Sequence, residues 1–398
     1  MLSRIKFEIE PLVEEMLDQL PETIWTSDTT TFFDPAIGGG QFVRAIERRL
    51  RSYGHPDNNI RKRVFGFEES QLHIRFAVNK HKLVGQYARK PYDKFLEMDN
   101  SMKFDVVVGN PPYQSEKDNS DQLWPLFTEK VINLTNESGY VGFIIPDTWT
   151  SGTRSVMLSG RKNLLTEIFN SLDVKVLNFD VKKYFPGIGS GFSAFVIQKI
   201  DSKNLTKFIT AENEFDFDLT DLKYIPKSVN LVTLNIVKKV TNHKNECVYF
   251  KFYGKTNNLD LVDNRNNTHT FLYANTSSNH PTKWGNVPGQ GYGKKKVIYA
   301  YMGSNQKFEY DLTGDVSLMY NARAYELNSN ATIEGLKSYF ESKLVRFLNK
   351  DKWSQYNEPK ILNLLPVLDF TKIWSDQDLY HYFGLTQEEI DYIENAIK

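Results

Sequence analysis

The first two hundred residues alternate short apolar runs with stretches of helical periodicity. Thr31–Ala36 (TFFDPA), Arg63–Glu69 (RVFGFEE), Phe104–Asn110 (FDVVVGN), Tyr140–Pro146 (YVGFIIP), Val174–Asp180 (VKVLNFD) and Phe192–Ile200 (FSAFVIQKI) read as strands. Short apolar runs bounded by turn residues suit strands buried on both faces. Between them, Gln41–Ser52 places Phe42, Val43, Ile46 and Leu50 at near-helical spacing, and Leu123–Leu134 and Arg161–Leu172 repeat the pattern. Strands alternating with helices predict an α/β fold, a doubly wound and mostly parallel sheet with helices on both faces.

After Ile200 the texture changes. Asn-rich and polar stretches such as NLDLVDNRNNTHT and NTSSNHPTKWGNVPGQGYGKKK interrupt the pattern, and the strand–helix alternation fades. We therefore expect one domain over residues 1–202 and a second, mixed α+β domain over 203–398. The chain closes on TQEEIDYIENAIK, a helix for which Thr386 is the expected N-cap and Glu389 its capping-box partner.

A length of 398 residues fits about two domains. With 40% hydrophobic and 25% charged residues, a packed core is expected rather than disorder. The 49 basic and 49 acidic residues cancel, so any basic face must be local. One cysteine, Cys247, excludes an intramolecular disulfide framework and argues against a cysteine-rich metal site, so no metal is expected. The opening MLSRIKFEIEPLVEEMLDQL lacks an apolar signal core, and no run of about 18 apolar residues occurs, so a cytoplasmic protein without a membrane span is expected.

FDPAIGGGQF (Phe33–Phe42) ends a strand at Asp34, passes three glycines and starts a helix. Glycine permits the tight turn and lets backbone approach a ligand closely, while a helix amino terminus offers free N–H groups. The segment suits nucleotide or adenosyl binding, or a purely structural turn; it lacks the Lys-Ser/Thr of a phosphate-binding loop. Glu68 ends the next strand, where a carboxylate can accept both ribose hydroxyls, with Glu69 as its neighbour. Asp99, before the following strand, can accept from an adenine amine or serve as a turn residue.

FDVVVGNPPYQ then delivers Asn110-Pro111-Pro112-Tyr113 at a strand's carboxyl end, where open α/β sheets place ligands. Two prolines stiffen the loop. An arylamine is a poor nucleophile because its lone pair is delocalised. Two acceptors on its N–H bonds, the Asn110 side-chain oxygen and the Pro111 carbonyl, would stabilise positive charge as it develops, and Tyr113 offers a ring for stacking. A rigid structural turn is the plainer alternative.

Taken together these segments resemble amino-methyltransferases with an Asn/Asp/Ser-Pro-Pro-Tyr motif, most closely the γ-class DNA adenine-N6 methyltransferases of restriction-modification systems. The resemblance implies a class I methyltransferase fold, S-adenosylmethionine as cofactor, double-stranded DNA as partner and methyl transfer to the N6 amine of a flipped-out adenine. FEIEPLVEEML matches the family's amino-terminal cofactor segment, with Glu10 where Thr is usual, and DPAIGGGQF matches DPACGSGxF. By these matches Pro11, Asp34, Pro35, Ala36, Gly38, Gly40, Phe42, Glu68, Asp99 and Asn110 contact cofactor. YFPGIGSGFSAFVI matches the segment whose Phe covers the second face of the base, which implies that Phe185 pairs with Tyr113, with Phe192 as rival. Cytosine N4, an RNA base, a glutamine side chain, or a non-catalytic DNA-binding module are the alternative readings.

The second half is expected to read sequence around the target. GYGKKKVIYAYMGSNQK combines Lys294, Lys295 and Lys296 with Tyr292, Tyr299 and Tyr301, and Trp284 and Arg323 are further candidates for DNA contact. A solvated lysine turn is the plainer alternative. No nuclease motif is evident and little chain precedes the cofactor segment, so a separate restriction endonuclease is a candidate partner, and a monomer is favoured.

Overall fold

A computed structural model describes residues 9–114, 122–151, 164–188, 191–201, 204–253, 260–274, 283–299, 308–318, 322–350 and 361–398. The chain divides into two compact units, Met1–Asp221 and Leu222–Lys398.

In the first unit the order is α1 (Glu10–Leu17), α2 (Glu22–Thr26), β1 (Phe32–Asp34), α3 (Gln41–Ser52), α4 (Asp57–Arg63), β2 (Val64–Glu68), α5 (Gln71–His81), β3 (Gln86–Arg89), α6 (Tyr92–Glu97), β4 (Phe104–Gly109), α7 (Trp124–Leu134), β5 (Thr135–Pro146), β6 (Asp173–Asn178), β7 (Phe192–Gln198), β8 (Thr206–Ile209) and β9 (Glu214–Phe217). They form one nine-stranded sheet ordered β3-β2-β1-β4-β5-β7-β6-β8-β9. Strands β3 to β5 run parallel, and β7 inserts antiparallel between β5 and β6. The carboxyl ends of β1, β2, β4 and β5 therefore share one edge.

Helix α3 occupies the range its periodicity predicts, and its buried face carries Phe42, Val43, Ile46 and Leu50. These pack with Leu12, Val13, Met16 and Leu17 of α1 against Phe32, Val106, Val108, Ile144, Ala194 and Val196 of the sheet. Each such burial contributes roughly 1.5–3 kcal/mol. The other face is aromatic. Phe33 stacks on Phe104 at 4.5 Å and meets Phe67 edge-on at 5.1 Å, and Phe95 meets Phe127 at 5.0 Å. Much of the phenylalanine content thus builds core.

Four differences from the sequence-based expectation stand out. The polar insert after α3 forms α4, whose single buried apolar residue, Ile60, leaves almost no periodicity to read. Strand β3 is an edge strand with one half-buried residue in four, so it carries no apolar run. The expected boundary at 202/203 falls before β8 and β9, which extend the sheet: β8 pairs parallel with β6, so the first unit ends at Asp221. Of the helix expected over Arg161–Leu172, residues 161–163 lie outside the described residues and Leu164–Phe169 forms a wide π-type helical turn.

The second unit contains α8 (Leu231–Thr241), β10 (Lys251–Tyr253), β11 (Leu261–Val262), β12 (Phe271–Ala274), β13 (Lys283–Gly285), β14 (Lys296–Tyr299), β15 (Phe308–Asp311), β16 (Val316–Leu318), β17 (Ala322–Glu326), α9 (Ile333–Phe340), α10 (Lys343–Lys350), α11 (Asp376–Tyr382) and α12 (Gln387–Ala396). Its strands form two four-stranded sheets, β10-β17-β14-β15 and β11-β13-β12-β16. Helix α12 starts as expected: the Thr386 side chain accepts from the Glu389 N–H, and the Glu389 carboxylate accepts from the Thr386 N–H at 2.7 Å. Among the described residues no helix is long and apolar enough to cross a membrane.

Candidate active site

The site begins at the β1–α3 turn. Gly38 and Gly40 hold φ of +49° and +87°, a region costly for residues with a side chain. The turn is pinned to the next strand: the Ile37 N–H donates to the Phe67 carbonyl at 3.0 Å, and the Gly38 N–H donates to Glu68 Oε2 at 3.0 Å. Glu68, at the end of β2, is 3% exposed. Its other oxygen accepts from the Ser70 N–H at 3.0 Å and lies 3.2 Å from His73 Nδ1. A carboxylate offers about four lone-pair directions, so Glu68 retains accepting capacity beyond these contacts. Open space also lies at Gly38, where an added Cβ would meet only the Ala36 carbonyl at 3.8 Å.

Asp34 ends β1, fully buried, and accepts from the Ala36 N–H at 2.9 Å. Burial, with the charge of Glu68 adding to it, pushes its carboxyl up to about 8 despite that hydrogen bond. Gly109, on the neighbouring β4, is required by this packing: a side chain there would approach Asp34 Oδ1 to 2.9 Å. Pro35 is buried and Ala36 half-buried beside it.

Next along the same edge, β4 stops at Gly109 and presents Asn110. The Tyr113 hydroxyl donates to Asn110 Oδ1 at 2.5 Å, which orients the amide oxygen and ties the two ends of the proline pair together. Pro111 is buried, whereas Asn110, Pro112 and Tyr113 are half-buried. Burial raises the Tyr113 hydroxyl above its ordinary range, keeping it a proton donor.

The ring beside Tyr113 is Phe192, at 5.2 Å and 38° between planes. Phe185 packs in turn against Phe192 at 4.6 Å, with 33° between planes. The expected partner of Tyr113 is thus separated from it by its rival. The reason is register: Phe192 opens β7 opposite Pro146, the last residue of β5, which holds its ring at the carboxyl edge. Two stacking contacts need roughly 7 Å between rings, so a base enters between Tyr113 and Phe192 only when they part.

Other expected residues lie elsewhere. Asp99 is exposed between α6 and β4, at the amino-terminal edge of the sheet, and accepts from the Ser101 N–H at 2.9 Å. Because β4 runs from that edge to the site, Asp99 is a turn acid a full strand length from Glu68 and Asn110. Asp93, in the first turn of α6 just after β3, is the acid at the carboxyl edge there. Phe42 is 2% exposed and belongs to the core, while Pro11 is exposed in the first turn of α1.

Two further groups at this edge have no motif to mark them in the sequence. Asp147 follows β5 and lies over Gly191, where an added Cβ would fall 1.8 Å from its Oδ2; burial pushes its carboxyl up to about 6. His81 ends α5 with Nε2 3.1 Å from the Gly39 carbonyl oxygen. Asp147 directly follows the strand YVGFIIP, and nothing local marks His81.

In the second unit, Lys296 is a core residue. Its Nζ lies 2.5 Å from Asp311 Oδ2, with both side chains buried, and donates to the carbonyls of Gly291 and Lys294. Arg323 is 6% exposed on β17, an inner strand of its sheet, and Tyr299 is fully buried with its hydroxyl on Asn349. These are not surface groups for phosphate contact. Lys294 is exposed and pairs with Glu326 at 2.7 Å. Lys295 is exposed with no ion-pair partner among the described residues, and Tyr292 is 39% exposed, edge-on to Phe271. Trp284 is half-buried under the Arg265 guanidinium at 5.4 Å, and Tyr301 lies outside the described residues. Among the described residues no group of three or more His, Cys, Asp or Glu is placed to hold a metal ion.

The sheet with β7 inserted antiparallel, and ligand-competent groups on the carboxyl edge of β1, β2 and β4, is a class I methyltransferase fold. Residues 45–175 match the family described as Eco57I restriction-modification methylase. A Mycoplasma pneumoniae protein named an uncharacterized adenine-specific methylase is 29% identical over 182 residues, 42% of this chain and 40% of that protein. The type II methyltransferase M.BstVI of Geobacillus stearothermophilus is 26% identical over 128 residues, 28% of this chain and 22% of that enzyme. The matches thus span less than half of these relatives. Among solved structures, the type IIG restriction endonuclease BpuSI aligns over 96% of this chain and 61% of its own, at a TM-score of 0.45 and 11% identity.

Proposed function

We propose that the protein is a DNA methyltransferase that transfers the methyl group of S-adenosylmethionine to the N6 amine of an adenine rotated out of the duplex. The observation that carries this reading is the shared edge: Glu68 against the glycine turn, and Asn110 with Tyr113 one strand further on. The match to restriction-modification methylases over residues 45–175, which include Glu68 and Asn110, supports it.

The residues fit the cofactor. Glu68 has accepting capacity left for ribose hydroxyls, and the turn has room at Gly38. When bound, S-adenosylmethionine supplies an activated methyl on a sulfonium, so no covalent enzyme intermediate is needed. The chain's work is positioning and charge stabilisation. The Asn110 oxygen and the Pro111 carbonyl accept the two N–H bonds of the target amine and so favour the nitrogen as it turns cationic. The proline pair holds these acceptors still, which lowers the entropic barrier to in-line attack. Stacking on Tyr113 offsets the few kcal/mol of extracting the base. Double-stranded DNA is the partner in this reading, with Lys295 and Tyr292 as the contacts still available from the lysine turn and Lys294 available if it exchanges Glu326 for phosphate.

The test offers methyl-labelled cofactor to plasmid DNA, RNA and protein, followed by single-molecule sequencing of the DNA. We expect N6-methyladenine in one sequence context, and an Asn110→Ala variant at least about 100-fold slower that still binds cofactor. Label on cytosine, RNA or protein alone, or near-wild-type rates in the variant, would overturn the reading.

A further inference from the structure

We propose that His81 is a positioning residue for the glycine turn, gripping its outer carbonyl, and that Arg44 and Glu10 lock the ring in the tautomer that does so. The inference rests on the reading of Phe33–Phe42 as the cofactor turn.

Two contacts assign the tautomer from opposite sides. A carbonyl only accepts, so His81 Nε2, 3.1 Å from the Gly39 oxygen, must carry the proton. A guanidinium only donates, so His81 Nδ1, 3.4 Å from Arg44 Nη1, must be bare. Arg44, in the first turn of α3, forms an ion pair with Glu10 at the start of α1, and Arg48 holds the same carboxylate at 3.0 Å. Side-chain hydrogen bonding from Arg44 leads in holding Glu10 below the usual carboxylate range. A chain of contacts thus runs from α1 through α3 and α5 to the turn's backbone.

The packing explains why the grip falls on backbone. At Gly40 an added Cβ would come within 3.0 Å of Ala77 Cβ and 3.3 Å of His81 Cδ2. Helix α5 lies so close that only glycine passes beneath it. The turn is then held at two adjacent residues, with the Gly38 N–H on Glu68 and the Gly39 carbonyl on His81. With the Gly40 N–H on the Ile37 carbonyl at 2.7 Å, both groups of the Gly39–Gly40 peptide are satisfied and its plane is set. Preorganising the turn removes an ordering cost from cofactor binding.

The charged groups facing the ring are Arg44 from α3, Lys80 from α5 and Glu10 from α1; burial first, then Arg44 and Lys80, hold the imidazole below its ordinary range. At neutral pH the ring is the neutral tautomer the geometry requires. Protonation would add a donor at Nδ1, facing Arg44, and break the lock.

The test measures S-adenosylmethionine affinity by calorimetry from pH 5.5 to 8.5 for wild type, His81→Phe, His81→Asn and His81→Gln. Phe cannot donate and Asn is too short, so both should bind roughly 10-fold more weakly, the loss of about one hydrogen bond. Gln, whose amide reaches the carbonyl, should recover most of the affinity. Wild-type affinity should fall more steeply than that of the Gln variant as pH drops through the lowered His81 pKa, beyond the dependence on Asp34 that both proteins share. Wild-type affinity and pH dependence in a folded Phe or Asn variant would overturn the proposal while leaving the cofactor reading intact. A wild-type protein that binds no cofactor would overturn both.

Discussion

The glycine turn of the first unit and the lysine turn of the second are both short motifs, yet only one lies where its sequence suggests. At FDPAIGGGQF, the proposed function rests on backbone geometry. Gly38 and Gly40 take left-handed φ values that the chain dictates locally, and the strand before them sets the edge. At GYGKKK, charge was to carry the function, and charge finds partners through space. Lys296 opens β14 directly opposite Asp311 of β15 and disappears into the core, and Lys294 takes Glu326. A turn is written in its own residues, whereas a cation's role depends on which acid the fold brings to it.

The largest expected effect tests the lysine side. Replacing Lys296 by Met leaves Asp311 buried without its cation and should cost about 3–5 kcal/mol, and pairing it with Asp311→Leu should recover only part of the loss, because the Gly314 and Val316 N–H groups then lose their acceptor. Urea denaturation of both variants measures this. A small loss in the single variant would return Lys296 to the surface and erase the contrast.

On the glycine side, Asp34 provides a pH signature. Its folded pKa, raised to about 8, exceeds that of the unfolded chain. Its contribution is therefore fully present below the unfolded pKa and is lost as pH rises through the folded one. Relative to Asp34→Asn, the wild type should match near pH 4 and fall a few kcal/mol behind by pH 8. Cofactor binding near pH 7 should also release part of a proton, since a bound cation favours the ionised acid. Denaturation curves across pH, and calorimetry in buffers of different ionisation enthalpy, check the two expectations. A flat difference between the proteins would mean Asp34 is charged throughout.

The smallest effects belong to the exposed lysines. Lys294→Ala and Lys295→Ala should each change stability by less than about 1 kcal/mol. If they touch phosphate, each should weaken plasmid binding similarly across sequences and lower the salt slope by about one. An unchanged slope in the Lys295 variant would remove the lysine turn from the DNA surface.

Sequence by itself determined whatever depends on neighbouring residues: the strands that carry Asp34, Glu68 and Asn110, the range of α3, the capping box at Thr386, and the proline-stiffened corner. Hydrophobic period, glycine and proline conformation, and side-chain caps act within a few residues, so one chain segment suffices to read them. Tertiary structure alone decided which groups meet. It set Phe192 rather than Phe185 beside Tyr113, left Asp99 at the far edge of the sheet, carried the first unit on through β9, buried Lys296 and Arg323, and brought His81 onto Gly39 from 42 positions along the chain. Strand register and the close approach of one helix are global outcomes of packing, and no local pattern encodes them.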